Sequence, residues 1–139
     1  MSDLVTYTSA ERIATITINR ADKMNALNEG VILGLQEAWL RFEASDDRVA
    51  VLHAAGDKAF SVGADIKDPP KEMWQGVPSI GATTSKPVIA AVHGWCIGGA
   101  YCIVQMEART IEFAQELANG PQVSMRLLKR SIYKAAEMN

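Results

Sequence analysis

Apolar and polar positions alternate over Ile13-Ala14-Thr15-Ile16-Thr17-Ile18, a β-branched run that predicts a half-buried strand. A second strand is predicted over residues 4–8. The polar turn Ser9-Ala10-Glu11-Arg12 joins the two, so the chain opens with a hairpin. The period then changes. Val31, Leu35, Ala38, Trp39 and Phe42 recur at helical spacing, which predicts a helix running to about Ala44. Asn28 is placed to cap its start, and Glu29 puts a carboxylate in the first turn, where the helix dipole favours one. Ser45-Asp46-Asp47 ends it. The nearly unbroken apolar run Val49-Ala50-Val51-Leu52-His53-Ala54 predicts a strand covered on both faces, and residues 88–92, opened by Lys86-Pro87, predict another. Between them, Pro69-Pro70 prevents a helix from running on past Ile66. Residues 71–84 are turn-rich and poorly patterned, and read as a mobile loop with one helical turn. A buried helix is predicted to start within residues 98–106. Two more are predicted over 107–117 and 122–138, separated by the stop-and-restart signal Asn119-Gly120-Pro121. The last carries Val123, Leu127, Leu128, Ile132 and Ala135 on one face and Arg126, Lys129, Arg130 and Lys134 on the other. Strands interleaved with helices point to an α/β fold with a parallel component.

A chain of 139 residues with 48% hydrophobic content suits one domain with a real core. We divide it into a core over 1–106 and a C-terminal helical segment over 107–139. Charged residues make up 22% and the formal net charge is -2, without the clustered Lys and Arg of a nucleic-acid footprint. No apolar run approaches the roughly 20 residues of a membrane span. The start, Met1-Ser2-Asp3-Leu4, lacks the basic and apolar regions of a signal peptide. Cys96 and Cys102 do not match a CxxC redox or zinc pattern, and no metal site is expected. They read as buried thiols in a reducing, cytoplasmic compartment.

Two glycine-bearing turns carry the candidate chemistry. Each follows an apolar strand-like run: Phe60-Ser61-Val62-Gly63-Ala64-Asp65-Ile66-Lys67, then His93-Gly94-Trp95-Cys96-Ile97-Gly98-Gly99-Ala100. Such turns expose backbone N–H groups at the C-terminal edge of a sheet, where ligands bind in open α/β folds. Two N–H groups aimed at one point make an oxyanion hole, which suits a carbonyl that becomes an enolate or a tetrahedral anion.

These residues resemble the crotonase superfamily, the enoyl-CoA hydratase/isomerase family. The resemblance runs over residues 4–106 through Ile16-Thr17-Ile18-Asn19-Arg20, Lys23-Met24-Asn25-Ala26-Leu27, the stretch from Ala59 to Lys67, and the stretch from Lys86 to Ala100. It implies a crotonase-like α/β fold with a ββα-type spiral core and C-terminal helices. It also implies an acyl-CoA substrate, with coenzyme A as part of that substrate rather than a separate cofactor, and a homo-oligomer, trimeric or hexameric. Carried over position by position, Ala64 and Gly99 become the two backbone donors of the oxyanion hole. Lys23, Met24 and Ala26 line the nucleotide end of CoA, and the backbone of Asp65 and Ile66 frames the adenine pocket. Asp65 itself reads as a turn stabiliser, since Asp readily bonds its own backbone.

Two departures from the family pattern bear on function. Many hydratases of the family place a glutamate three residues after the second donor, and Cys102 stands there. A thiol does not replace a carboxylate in orienting water. After Met106 the chain jumps into a segment that resembles the family's C-terminal helices through Ser124-Met125-Arg126-Leu127-Leu128-Lys129, without the intervening strands that carry the second acid. The resemblance favours a lyase-type acyl-CoA enzyme that stabilises a thioester enolate. The alternatives are a catalytically silent CoA-thioester-binding or assembly subunit, or an internally deleted product. Asp68 and Glu72 are the loop carboxylates nearest in sequence to the first donor. A Cys102 or Cys96 nucleophile with His93 as base is a third, weaker reading.

Overall fold

The computed structural model describes residues 3–78, 80–104 and 118–120. The alternating N-terminal pattern becomes an antiparallel hairpin of β1 (Val5–Ala10) and β2 (Ile13–Ile18), with Ala10 opposite Ile13. The turn is shorter than expected. Only Glu11 and Arg12 close it, both in the left-handed region at φ 52° and 63°, the hand that matches the twist of the flanking strands. β3 (Val49–Ala54) pairs parallel with β2, and β5 (Val88–Ala90) pairs parallel with β3, so the first sheet runs β1-β2-β3-β5. After β3 and again after β5 the chain leaves this sheet and pairs once more. β4 (Ala59–Ser61) and β6 (Trp95–Cys96) form a second, two-stranded parallel sheet.

Helix α1 spans Glu29–Ala44 and is capped as expected, the Asn28 side chain accepting from the Val31 N–H at 3.0 Å. Its buried stripe, Val31, Ile32, Leu35, Ala38, Trp39 and Phe42, packs with Ile16 and Ile18 of β2, Leu52 of β3 and Phe60 of β4. Full burial of each large side chain contributes about 1.5–3 kcal/mol. Phe60 roots the second sheet in the core of the first, and so fixes the small sheet that carries both glycine turns.

The loop over 71–84, expected to be mobile, is stapled to α1. Glu29, Gln36 and Glu43 recur every seven residues, along one line of the helix surface. Glu29 accepts from the Lys71 N–H at 2.7 Å, Gln36 donates to the Gly81 carbonyl at 2.9 Å, and Glu43 accepts from the Ser85 N–H at 3.0 Å. Beside that line, the Trp39 indole donates to the Gly76 carbonyl at 2.9 Å. Among the described residues, the helical turn expected in the loop is the 3-10 turn Met73–Gly76. At the end of α1, Lys86 Nζ is buried and donates to the Ser45 carbonyl at 2.6 Å and, beside the Ser45 N–H and hydroxyl, to the Phe42 carbonyl at 2.7 Å.

The helix expected to begin in 98–106 is α2, Gly99–Ile103. The helices expected over 107–117 and 122–138 lie outside the described residues, and so does nearly all of the 107–139 segment. Its described piece places Ala118 against Val49, Val51 and Ile89 on the sheet face away from α1, and Arg48 donates to the Ala118 carbonyl at 2.9 Å. Among the described residues no helix is long and apolar enough to cross a membrane.

Candidate functional site

β4 and β6 lie side by side and parallel, with Ala59 opposite Trp95 and Ser61 opposite Cys96. The two glycine turns therefore leave the same end of one small sheet. Strands of three and two residues are too short to show a period, so the sequence pattern assigns the turns to the longer strands instead. The turns also touch. A Cβ added to Gly63 would fall 2.9 Å from the Ile97 carbonyl oxygen, 3.2 Å from the Gly99 nitrogen and 3.3 Å from the Gly98 Cα. Only a residue without a side chain brings these two backbones together, and Gly63 sits at φ 90° besides. Gly98, at φ 60°, turns the second segment into α2, with Gly99 as its first residue.

Ala64 is held from behind by Leu27. The Leu27 N–H donates to the Gly63 carbonyl at 2.8 Å, and the Asp65 N–H donates to the Leu27 carbonyl at 2.9 Å, a parallel bridge centred on Ala64. In that pattern the central residue directs its own N–H to the opposite side. Gly99, in the first turn of α2, has no intrahelical partner for its N–H. Neither the Ala64 nor the Gly99 N–H has a protein acceptor among the described residues. Two unengaged N–H groups on touching turns can stabilise developing negative charge. Over Gly99 lies Met73, whose Cε and Sδ come within 3.0 and 3.3 Å of the position a Gly99 Cβ would take.

Lys23, Met24 and Ala26 lie in the turn that leads to Leu27. A 3-10 turn, Ala21–Lys23, ends at Met24 and Asn25, both left-handed at φ 51° and 55°. The Lys23 side chain is exposed, Met24 is half-buried and Ala26 is buried. The turn is zipped to the first glycine turn through the Leu27 bridge and the Val62 N–H, which donates to the Met24 carbonyl at 3.3 Å. Ile66, one residue beyond Asp65, is 96% exposed.

The loop acids are engaged elsewhere. Asp65 Oδ2 accepts from Arg20 Nη1 at 2.6 Å, and Oδ1 accepts from the Lys67 and Asp68 N–H groups at 2.9 and 3.3 Å. The Arg20 hydrogen bond, then those backbone donors, hold the Asp65 carboxyl below the usual carboxylate range. The expected turn-stabilising role is what these bonds provide. Asp68 accepts from the Asn28 amide at 3.0 Å, and Glu72 accepts from the Trp74 indole.

The cysteine–histidine reading finds no support among the described residues. The His93 ring stacks on His53 with centroids 5.6 Å apart, and its Nε2 is buried without a hydrogen-bond partner among the described residues. Burial pushes the Cys96 thiol up, away from the thiolate a nucleophile needs. Cys96 is only half-buried and Cys102 is exposed, so the expectation of two buried thiols holds for neither.

Arg20, Asn25 and Met73 flank the candidate site; Arg20 and Asn25 lie in motifs the sequence shows, but neither their contacts nor the place of Met73 is legible there. Asn25 is 1% exposed, and its amide donates to the Ala55 and Ala59 carbonyls, both at 2.8 Å. Its turn chemistry is visible in the sequence, but its partners some thirty residues away are not.

The profile of the family described as enoyl-CoA hydratase/isomerase matches residues 8–106. An (E)-benzylidenesuccinyl-CoA hydratase of Thauera aromatica is 37% identical over 105 residues, covering 68% of this chain and 41% of the relative. A mitochondrial enoyl-CoA hydratase of Pongo abelii is 34% identical over 116 residues, covering 74% and 40%. Among solved structures, an enoyl-CoA hydratase/isomerase from Mycobacterium paratuberculosis superposes with a TM-score of 0.63 at 33% identity, covering 70% of this chain and 43% of that one. The chain thus spans less than half the length of these relatives.

Proposed function

The chain belongs to the enoyl-CoA hydratase/isomerase family, and from that premise we propose that it binds an acyl-CoA thioester with the carbonyl oxygen between the Ala64 and Gly99 N–H groups. The contact between the two glycine turns supports this reading, because each of the touching turns carries an N–H without a protein acceptor among the described residues. The pair stabilises the enolate that forms when a proton leaves or enters beside the thioester. The start of a helix favours the same charge, although α2 is short. Lys23, exposed on the turn 20–27, meets a phosphate of the nucleotide as a point charge, with Met24, Ala26 and the backbone of Asp65 and Ile66 around the rest of CoA.

A second reading has its own observation. Asp65, Asp68 and Glu72 are all hydrogen-bonded within the protein, and Cys102 replaces a carboxylate beside the second donor. Such a chain would bind thioesters without turning them over, as an assembly or binding subunit.

Replacing Gly99 with proline separates these readings from no site at all. Proline is tolerated at the first helical position and removes the N–H. The new Cβ would press on the flexible tip of Met73 rather than on backbone. Gly99→Pro should weaken butyryl-CoA binding, measured by calorimetry, by about tenfold or more, and unchanged affinity would sink the assignment. Removing one such donor typically raises a reaction barrier by about 3–4 kcal/mol. Wild-type protein that hydrates crotonyl-CoA supports the enzyme, and one that binds without hydration supports the silent subunit.

A further inference from the structure

The two ends of the proposed site come from segments that meet only in space, the turn 20–27 and the turn after β4. We propose that the Arg20–Asp65 ion pair is a positioning device that locks these two turns together, so that the nucleotide end and the thioester end of a CoA ligand are read by one rigid unit. This rests on the thioester-site reading above and adds to it residues that touch neither reacting atoms nor carbonyl.

The bonds form a closed chain. Arg20 Nη1 donates to Asp65 Oδ2 at 2.6 Å and to the Ala26 carbonyl at 2.9 Å, so one guanidinium nitrogen spans the gap between the turns. The Arg20 N–H donates to Asn25 Oδ1 at 3.0 Å, and the Asn25 amide in turn holds the Ala55 and Ala59 carbonyls. One turn is therefore fixed to the end of β3 and the start of β4. On the other side, Asp65 Oδ1 gathers the Lys67 and Asp68 N–H groups. Both carboxylate oxygens are occupied, which leaves Asp65 to position rather than to move a proton. The two side chains are 14% exposed, so water screens the pair less than a surface pair. Asp65 is bonded directly to Ala64, and a donor misplaced by a fraction of an ångström loses much of its effect.

The test is Asp65→Asn. Asparagine keeps Oδ1 for Lys67 and Asp68 and turns Oδ2 into an NH2 group facing the guanidinium, donor against donor. Calorimetric titration with free CoA and with butyryl-CoA gives the affinity added by the acyl thioester. In the variant the acyl increment should fall about tenfold, a larger loss than that of free CoA, which meets only the backbone of Asp65. The double variant R20Q/D65N should recover part of the increment, since the glutamine carbonyl accepts from the new amide. A purely structural role would lower thermal stability without this split or rescue. If Asp65→Asn does not fold, Arg20→Lys serves. It keeps the charge but not the second bond to Ala26, and a smaller loss in the same direction is expected. Folded variants with the wild-type increment overturn the proposal. Wild-type protein with no acyl increment overturns the thioester reading itself, and this proposal with it, before any substitution is made.

Discussion

The contact at Gly63 decides whether the two turns form one site, and it can be broken by a single methyl group. In Gly63→Ala the new Cβ meets three backbone atoms of the second turn, at 2.9, 3.2 and 3.3 Å, and backbone cannot swing aside as a side-chain tip can. The residue also has to hold φ 90°. Holding a side-chain-bearing residue at such a backbone geometry costs about 1–3 kcal/mol. Overpacking of a closed contact adds about 1–3 kcal/mol. The sum, about 2–6 kcal/mol, is a large part of the roughly 5–15 kcal/mol that holds a domain folded. Gly98→Ala is the control. Gly98 also has positive φ, at 60°, but a Cβ there meets its nearest atoms at 3.6 and 3.8 Å, ordinary contact distances. It should lose only the backbone share. Urea unfolding of both variants is the assay, with butyryl-CoA binding on whatever remains folded. Gly63→Ala should lose about 1–3 kcal/mol more than Gly98→Ala, and its thioester affinity should fall further. Equal losses in the two variants would mean that the turns do not touch, and the argument for a shared site would go with them.

Other consequences are separate from the site. Lys86→Met removes the donor to the Phe42 and Ser45 carbonyls at the end of α1, and should cost about 1–3 kcal/mol in urea unfolding; a midpoint unchanged from wild type would contradict that cap. Burial pushes the Glu43 carboxyl up, but hydrogen bonds from Ser85 and Thr84, with Lys86 nearby, outweigh it and leave it below the ordinary glutamate value. A depressed folded value means that its stabilisation is present above about pH 4.3 and is lost as the pH falls below that. Glu43→Gln should flatten the acid limb of stability against pH, and an unaltered limb would refute the assignment. Burial, and then the neighbouring His93, hold the His53 imidazole below its ordinary value. In an NMR titration His93→Gln should move the His53 midpoint part of the way back up, and no movement would refute His93 as a cause of that shift.

Local chemistry determined a good part of this protein. The alternation over 13–18, the helical recurrence of apolar positions with Asn28 ahead of them, and the continuous run at 49–54 each specify an element from neighbours in the chain, and β2, α1 and β3 form as those patterns require. The glycine turns were legible for a similar reason, since a backbone that must bend and expose N–H groups needs small residues at fixed places. Tertiary structure alone decided the rest. β4 and β6 have too few residues for a period and exist because each finds the other. The loop over 71–84 has no pattern of its own, and is ordered by the line of Glu29, Gln36 and Glu43 on a helix some forty residues earlier. Arg20, Asn25 and Asp65 read as ordinary turn residues until the fold lays 20–27 against 62–66. A hydrogen bond joins atoms regardless of their distance along the chain, whereas a pattern in the sequence registers only what near neighbours do together.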